Sequence, residues 1–470
     1  MTAIAWIRRE MRVPDNTALV RAAENHDDVV PVYVVDTDLF AERPLGYPRV
    51  RFWHDALQDL VQQLEEQGSD LVVRQGPPVT ELTSVIDAVD ADAVFYNRDY
   101  TPYARERDRR VRDALEVPVT GVKDLAMHDR DEILTNSGSP YKVYSYYRDK
   151  WFEREKRGPA TVPAFTTPSV DSASVPTLDA LGYSPPDGFD WEWTASRAAG
   201  RQRLERFQDR IGAYDDARDV PAEDATSRLS PHLKFGTVSI REAFQAAEAA
   251  RTAGADEDGV RTWQEELAWR DFYFQILWHW PNTVDEAFLE KYRGMDWYSK
   301  NQASSRWRRW VDGRTGYPFV DAGMRQLKRT GWMHNRLRMV VTSFACKDLW
   351  LDWQDVHNYF QRMFVDAEVA AMVGGIQWAY SIGTDAQPYF RVFNPWTQGE
   401  DYDPDGTFIR EMVPELREVP DEYIHRPHEM PADVQEDAGC VIGEDYPEPI
   451  VDHDEQREKA VERFEAAADS

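Results

Sequence analysis

The segment around residue 335 carries side chains that could hold a flat, polar ligand. No Gly or Pro interrupts residues 332–348, so the sequence predicts one helix over this range. Four residues share one face of that helix at i, i+3, i+4 and i+7: Trp332, Asn335, Arg336 and Met339. An indole, an amide, a guanidinium and a thioether together suit a flat, hydrogen-bonding, partly charged ligand. The alternative is a helix half-buried between its neighbours.

A second predicted helix, residues 263–280, places charged and aromatic side chains in an otherwise apolar sequence. Glu266, Trp269, Arg270 and Tyr273 share one of its faces. A helix this apolar is buried, and a buried charge must be paired or must face a cavity. We therefore expect Glu266 and Arg270 to have partners or to line a site.

Two further segments have features of a binding site. The sequence TSRLSP at residues 226–231 predicts a helix start with Ser230 as N-cap, where hydroxyls and free amides can bind an anion. Ordinary helix capping explains the same pattern. In residues 366–391, the pair Gly374 and Gly375 permits close backbone approach just before Trp378.

Residues 300–347 are basic within an acidic protein. They contain eleven Lys and Arg against two Asp, a local charge of +9, and aromatic residues that include Trp307, Trp310, Tyr317 and Trp332 lie among them. Cations with interleaved aromatic rings suit a phosphate backbone with exposed bases. The segment therefore favours a nucleic-acid partner, although a solvated basic face would look the same.

The composition limits the class of protein. The 470 residues carry a net charge of −29, and only 10 of the 55 basic residues are Lys, which is typical of a protein that stays hydrated in concentrated salt. An acidic surface made for a basic partner is less favoured, because the acidic residues are spread along the whole chain. With two cysteines, no apolar run of membrane-spanning length and no signal peptide, we expect a soluble cytoplasmic protein.

The elements that position these residues differ between the two halves of the chain. Short apolar runs at 4–7, 29–35, 71–73, 93–96 and 117–122 alternate with amphipathic helices at 16–25, 49–67, 77–90 and 102–115. Such βα units predict an open parallel five-stranded sheet with helices on both faces. No GxGxxG follows the first strand, so a dinucleotide site of Rossmann type is unsupported. Ligands of such sheets bind beyond the strand carboxyl ends.

The rest of the chain is predicted to be helical. Residues 123–150 read as an irregular passage, and the proline-rich residues 158–190 exclude long helices and indicate an interdomain crossing. We therefore divide the chain into an α/β domain at 1–130, a linker at 131–194 and an all-α domain at 195–470. The acidic final segment closes on a predicted helix at 454–467.

Several long motifs together resemble the photolyase/cryptochrome family, and most closely the class I cyclobutane-pyrimidine-dimer DNA photolyases. They are RREMRVPDNTAL, TSRLSPHLKFGTVSIREAF, EELAWRDFY, GYPFVDAGMRQL, GWMHNRLRM and GTDAQPYFRVFNP. The resemblance extends from residue 1 to about residue 449. It implies an α/β domain that can hold an antenna chromophore, a helical domain that binds FAD, and blue-light-driven DNA repair as a deoxyribodipyrimidine photo-lyase.

The resemblance also implies roles for individual residues. The FAD-binding set is Tyr214, Thr226, Ser227, Leu229, Ser230, Trp263, Asn335, Arg338, Asp366, Glu368 and Met372. The set for DNA and the flipped dimer is Arg218, Glu266, Trp269, Arg270, Asn335, Arg336, Met339, Trp378 and Arg391. The catalytic set is Glu266 with Trp353 and Trp378, and no metal is implied.

The chain departs from the family pattern at two positions. Met372 stands where photolyases typically present Asn to the flavin, and Ile376 stands where the tryptophan nearest the flavin is expected. Trp353, the middle tryptophan of the usual relay, remains. The outermost position aligns near Lys300, and the neighbouring Trp297 and Tyr298 are alternatives for it. These departures keep open a cryptochrome-like protein without dimer repair. A flavin-free remnant is disfavoured because the phosphate-site and dimer-site residues are complete.

The resemblance implies an antenna and a DNA partner as well. The expected antenna is 8-hydroxy-5-deazaflavin, with methenyltetrahydrofolate or no antenna as alternatives. Candidate residues lie at strand ends and helix starts: Arg51, Asn97, Arg98, Asp99 and Tyr103. The expected partner is double-stranded DNA carrying a pyrimidine dimer, bound by a monomer that contacts no membrane.

Overall fold

The computed structural model describes residues 1–42 and 45–468. Its N-terminal part contains a five-stranded parallel sheet, as the sequence predicted. The strands are β1 (Thr2–Ile7), β2 (Asp28–Val35), β3 (Val72–Gln75), β4 (Ala93–Asn97) and β5 (Val119–Val122), and their order in the sheet is β3-β2-β1-β4-β5. The helices of this part are α1 (Thr17–Asn25), α2 (Thr37–Glu42), α3 (Tyr47–Glu65), α4 (Pro78–Val89) and α5 (Pro102–Ala114).

Alternation along the central strand β1 separates two hydrophobic layers. Ala3 and Ala5 belong to the cluster that includes side chains of α1 and α3. Ile4 and Trp6 belong to the opposite cluster, with side chains of α4 and α5. Because successive strand residues point to opposite faces, the apolar run of β1 is buried on both sides. Helices therefore cover both faces of the sheet.

The passage between the two halves is partly helical. Helix α6 (Tyr144–Glu153) begins inside the aromatic run that the sequence analysis placed in an irregular segment, so that prediction was wrong. The polar-aromatic sequence YSYYRDK hides the helical period, because only Tyr144, Tyr147 and Trp151 are buried. The proline-rich residues 158–190 contain no helix or strand, in agreement with their composition.

The remaining part is all-helical, as predicted. Its α-helices are α7 (Arg197–Gln208), α8 (Tyr214–Ala217), α9 (Ser230–Lys234), α10 (Ile240–Thr252), α11 (Glu257–His279), α12 (Ser304–Val311), α13 (Pro318–Thr330), α14 (Asn335–Lys347), α15 (Trp353–Met363), α16 (Val369–Ala379), α17 (Pro395–Tyr402), α18 (Thr407–Met412), α19 (Ala432–Ala438) and α20 (His453–Ala468). Single 3₁₀ turns lie at Ile211–Ala213, Pro281–Val284, Glu290–Tyr292, Pro414–Leu416, Asp421–Tyr423 and Pro427–Glu429. The last two residues of the predicted 195–470 domain lie outside the described residues.

Helix α14 is shorter than the sequence predicted. Gly331 ends α13 in the left-handed conformation (φ 70°), and the chain needs three more residues before α14 begins. His334 caps α14, and its Nδ1 accepts a hydrogen bond from the Arg336 amide at 3.2 Å. Trp332 lies before the helix and is buried in the core that contains Phe52. It therefore does not share a helical face with Asn335, contrary to our prediction.

A buried ionic network joins the two halves. Arg241 of α10 contacts the carboxylates of Asp15 and Asp124 at 2.8 and 2.7 Å, and Arg12 contacts Asp124 at 2.6 Å. All four side chains are at most 2% exposed. Burial alone would raise the pKa of Asp124, but the two guanidiniums hold it below its usual range. The sheet and the helical part are thus linked by charges that solvent does not reach.

Candidate functional site

Glu266 of α11 forms an ion pair with Arg218. The carboxylate lies 2.9 Å from the guanidinium of Arg218, which follows α8, and 35% of the Glu266 side chain remains exposed. Burial raises the pKa of Glu266, and the nearby Arg218 opposes this shift. The expectation that Glu266 is paired is confirmed. The site thus holds a carboxyl group that is still accessible to a ligand.

Trp269 contacts two tyrosine rings. The Tyr144 ring stacks on its indole with centroids 3.5 Å apart, and Tyr273 lies on α11 one turn further at 5.4 Å. The Tyr144 hydroxyl donates to the Glu265 carbonyl at 2.8 Å, which fixes the start of α6 against α11. Sequence reasoning missed Tyr144, although the aromatic run that contains it was visible.

Arg270 is satisfied by backbone carbonyls. It donates to the carbonyl oxygen of Leu125 and, at 3.2 Å, to that of Leu233. Burial lowers the pKa of Arg270. The expectation that Arg270 is paired is confirmed, and its partners belong to the segment after β5 and to α9.

The exposed end of α14 presents Asn335, Arg336 and Met339. Asn335 Nδ2 lies 4.0 Å from the Met339 sulfur, as expected for residues one turn apart. Arg336 contacts the Asp219 carboxylate at 2.6 Å, and its guanidinium lies 4.1 Å from the centroid of the Tyr402 ring. The amide, guanidinium and thioether predicted for one side of this helix are therefore present, without Trp332.

A second ion pair lies next to this helix end. Arg338 contacts Asp366 at 2.8 Å and donates to the Met333 carbonyl at the same distance. The Asp366 side chain is only 1% exposed, and its Oδ1 has no hydrogen-bond partner within the described chain. A buried carboxylate oxygen without a partner is costly, so it indicates a ligand group that would complete it.

Helix α16 runs beside α11 and α14 and carries the two unusual positions. A Cβ at Gly374 would overlap the Tyr273 ring, so close approach of α11 requires glycine there. A Cβ at Gly375 would meet no atom within 4 Å, so this residue faces open space. Met372 is partly buried, Ile376 is buried, and Trp378 is partly exposed. The predicted close approach of another element to the backbone is confirmed at Gly374 but not at Gly375.

The predicted anion segment is a turn before the short helix α9. Arg228 adopts a left-handed conformation (φ 47°), and Ser227 Oγ accepts from the Leu229 amide at 3.4 Å. Ser230 is the first helical residue and Leu229 takes the N-cap position, so the assignment of Ser230 as N-cap was wrong. Thr226 is partly exposed and Ser230 is exposed, which leaves their hydroxyls accessible.

Two further site candidates, Tyr214 and Trp263, share a core cluster with Leu229 of this turn. Tyr214 and Trp263 are buried, and both rings lie against Phe207 at centroid distances of 5.8 and 5.4 Å. Arg391 is exposed at the end of the segment that follows α16.

Glu368 connects the helical part to the sheet. Its carboxylate contacts Arg9, just beyond β1, and lies 3.7 Å from Lys234 Nζ. Arg9 also contacts Asp99 at 3.2 Å. Sequence reasoning placed Asp99 among the antenna candidates at strand ends and helix starts but missed this connection, because 359 residues separate Arg9 from Glu368.

Trp353 is the first residue of α15 and is buried. A separate cluster of three aromatic rings lies near the end of α16. The Trp297 ring lies 4.3 Å from Trp350 and 5.3 Å from Tyr380, measured between centroids. Tyr380 follows Ile376 by one helical turn and donates to the Leu351 carbonyl at 3.0 Å. The buried Ile376 itself offers no aromatic ring.

The basic segment 300–347 is not an open stripe of cations. Seven of its eleven basic residues contact carboxylates, most of them from distant parts of the chain. The pairs are Lys300–Asp355, Arg314–Glu415, Arg325–Glu415, Lys328–Asp312, Arg329–Glu411, Arg336–Asp219 and Arg338–Asp366. These pairs bring in five carboxylates from outside the segment, which offset about half of the local charge of +9 counted along the sequence.

No helix in the described parts of the chain is both long and apolar enough to cross a membrane.

The chain is similar to known proteins over its whole length. Residues 3–168 match the DNA photolyase family model, and residues 263–466 match the FAD-binding domain of DNA photolyase. A deoxyribodipyrimidine photo-lyase of Halobacterium salinarum is 43% identical, with 98% of each chain covered. A class III photolyase from Agrobacterium tumefaciens has TM-score 0.91 at 34% identity, covering 100% of this chain and 98% of that one. A Synechocystis cryptochrome has TM-score 0.91 at 27% identity, covering 98% of each.

Proposed function

Because the chain belongs to the DNA photolyase family, we propose that it is a deoxyribodipyrimidine photo-lyase that splits cyclobutane pyrimidine dimers under blue light. The observation that carries the proposal is the accessible Glu266–Arg218 pair beside the stacked Trp269 on α11. An indole wall and a hydrogen-bonding acid are what a flipped dinucleotide requires.

The residues between α14 and α16 fit FAD. The unpartnered Oδ1 of Asp366 and the open space at Gly375 both indicate a bound group there. Bound FAD in its reduced form supplies the electron that opens the dimer. The chain would hold it through Tyr214, Thr226, Ser227, Leu229, Ser230, Trp263, Asn335, Arg338, Asp366, Glu368 and Met372.

The side chains of the site would have three distinct roles: hydrogen bonding to the dimer, enclosing it and contacting the DNA. Glu266 would donate a hydrogen bond to a dimer carbonyl as negative charge develops there. Trp269, Met339 and Trp378 would enclose the dimer. Arg218, Arg270, Arg336 and Arg391 would face the DNA, with Arg218 and Arg336 exchanging their present carboxylate partners for phosphate.

A cryptochrome-like protein without dimer repair is the second candidate. Met372 and Ile376 favour it, and so does the similarity to the Synechocystis cryptochrome. The experiment that separates the two is a repair assay on dimer-containing DNA under blue light, with the flavin reduced chemically beforehand. Loss of dimers supports the photo-lyase, whereas bound and reduced flavin without loss of dimers supports the alternative.

Reduction of the flavin would not use the usual tryptophan relay. Trp353 remains as its middle member, but the buried Ile376 interrupts the route towards the flavin. An aliphatic side chain has no accessible oxidised state, so an electron would have to cross a longer gap. We therefore propose that a cellular reductant keeps the flavin reduced and that repair proceeds without photoreduction.

The antenna we propose is 8-hydroxy-5-deazaflavin, an acidic chromophore, bound at the carboxyl edge of the sheet. Three buried or nearly buried cations, Arg9, Arg49 and Lys234, lie in the neighbourhood of two carboxylates, Asp99 and Glu368. Burial lowers the pKa of Lys234 to about 8 and that of Arg49 to about 10, so an anion would relieve both.

The other candidate antenna residues have internal partners. Tyr103 donates to Asp36, Arg98 contacts Asp129, Arg51 contacts Asp55, and Asn97 donates to Asn16. Mass analysis of chromophore released from protein made in its native host tests the proposal. Recovery of a folate such as methenyltetrahydrofolate, or of no antenna, would contradict it.

We propose that the enzyme acts in the cytoplasm as a monomer on double-stranded DNA carrying a pyrimidine dimer. The acidic surface supports an origin in a halophile, where exposed carboxylates keep a protein hydrated. We also propose residues 1–130 as the antenna domain, 131–194 as the linker and 195–470 as the FAD- and DNA-binding domain.

A further inference from the structure

Two segments of the chain meet near α11 and leave apolar side chains in solvent. Val143 and Tyr146, at the start of α6, keep 37% and 64% of their surfaces exposed. Phe390, in the segment 384–391, is 57% exposed. Across residues 1–42 and 45–468, five large hydrophobic side chains are exposed, and three of them belong to these two segments.

The first segment is fixed to the second and to α11. Thr384 Oγ1 donates to the Lys142 carbonyl at 2.7 Å, and the Tyr144 amide donates to Asp385 Oδ2 at 3.0 Å. The Tyr144 ring stacks on Trp269 at 3.5 Å. Asp385 adopts a left-handed conformation (φ 46°), which its surroundings must stabilise. The exposed side chains are therefore carried on a well-supported part of the surface.

The charge of this region suits nucleic acid. Lys142 is exposed, and its Nζ lies 5.1 Å from the centroid of the Trp280 ring. Arg391 is exposed directly after Phe390. In a protein with a net charge of −29, exposed cations beside exposed rings favour a polyanion that also has aromatic faces.

We propose that the Tyr146 ring stacks on a base that loses its neighbour when the pyrimidine dimer leaves the duplex. The inference rests on the proposed function, because an intact duplex offers no such base. Removing a dinucleotide exposes the flat faces of the flanking or opposite bases. Val143, one helical turn before Tyr146, extends the apolar surface on which such a base would lie.

The test compares two probes and three variants. The probes are a duplex with one thymine dimer and the isolated thymine-dimer dinucleotide, which has no neighbouring bases. Tyr146→Ser should weaken binding of the duplex about 5- to 100-fold and leave binding of the dinucleotide unchanged. Tyr146→Phe keeps the ring and should bind like the wild type. Val441→Ser removes an exposed apolar side chain elsewhere and serves as the control.

Four results would overturn the inference. Tyr146→Ser could bind the duplex as tightly as the wild type, or it could weaken both probes equally, which would make the ring part of the dimer pocket itself. A change of molar mass in solution on Tyr146→Ser would instead assign the surface to contact between copies. A wild-type protein that binds neither probe would overturn the proposed function together with this inference.

Discussion

The Glu266 carboxylate and the Arg218 guanidinium lie 2.9 Å apart although 48 residues separate them in the chain. The pair holds the carboxyl group of α11 in place while a third of its surface stays accessible. A dimer that accepts a hydrogen bond from Glu266 must therefore share this group with Arg218 or displace the arginine towards the DNA.

Replacing Glu266 tests its role as hydrogen-bond donor. Glu266→Ala should lower the repair quantum yield about 100-fold, because a donor aimed at developing charge in a dry site is lost. Glu266→Gln retains a donor and should keep most of the yield. The measurement is dimer loss per absorbed photon with the flavin chemically reduced.

The neighbouring Glu265 gives a matched control, since its carboxylate contacts Arg148 and Arg261 instead. Glu265→Ala should repair normally. Burial raises the pKa of Glu266, and only the protonated carboxyl group can donate a hydrogen bond to the dimer. Repair should therefore decline as the pH rises through that pKa. A wild-type yield in Glu266→Ala would show that the assignment is wrong.

Arg336→Ala should weaken DNA binding and reduce its salt dependence. Loss of one phosphate contact lowers the slope of log K against log salt by about 0.9. Arg325→Ala is the control from the same basic segment, because Arg325 is occupied by Glu415 at 2.6 Å. Asp219→Asn removes the carboxylate that holds Arg336 and should tighten binding. An unchanged slope in Arg336→Ala would exclude a phosphate contact.

Illumination of the oxidised protein with an external electron donor should reduce its flavin slowly or not at all. Ile376 provides no stepping stone, and Met372 replaces an amide with a weak thioether acceptor. Trp378 or Tyr380 are the aromatic residues of α16 and its C-cap that could take over. Transient absorption is the direct measurement, and a prompt, high-yield tryptophan radical would reveal another relay.

If such a relay exists, the ring contacts in the structure indicate which residues would form it. Tyr380, Trp297 and Trp350 form a continuous ring contact. Trp297→Phe should abolish the radical, whereas Trp307→Phe, in α12 outside this group, should not.

His232 should make stability depend on pH in the acid range. It is buried, its Nδ1 lies 2.8 Å from Thr237 Oγ1, and burial lowers its pKa to about 3. Between about pH 6.5 and 3 this histidine binds a proton in the unfolded chain but not in the folded chain, so the free energy of unfolding decreases as the pH falls. The free energy of unfolding should lose up to about 1.4 kcal/mol per pH unit from this group.

Chemical denaturation at several pH values measures this slope. His232→Gln should make this slope shallower. Identical slopes in the wild type and His232→Gln would contradict the assignment.

Periodicity made most of the fold predictable. The apolar runs of β1 to β5 and the charged face of α11 follow directly from residue spacing, as did the partner required for Glu266. The start of α14 was mispredicted because Gly331 and the His334 cap outweigh an uninterrupted helical pattern. Both signals, the glycine and the capping residue, are present in the sequence and can be used to predict where the helix begins.

Long-range ion pairs were not predictable from spacing. Arg325 and Glu415 are 90 residues apart, and nothing in the local sequence of either identifies the other. The basic segment therefore looked more exposed than it is. The same holds for Arg9, whose contact with Glu368 brings the sheet to the start of α16.

The buried network of Arg12, Asp15, Asp124 and Arg241 makes the two halves inseparable. A chain cut in the proline-rich segment would place Arg241 on one fragment and both of its carboxylate partners on the other. Removing one of these charges within the folded chain would leave its partner buried and uncompensated, which is strongly destabilising. Heating should melt the sheet and the helices in one cooperative step. Salt weakens ion pairs on the surface by screening, but these buried charges are shielded from solvent. The contact between the two halves should therefore persist at high salt concentration.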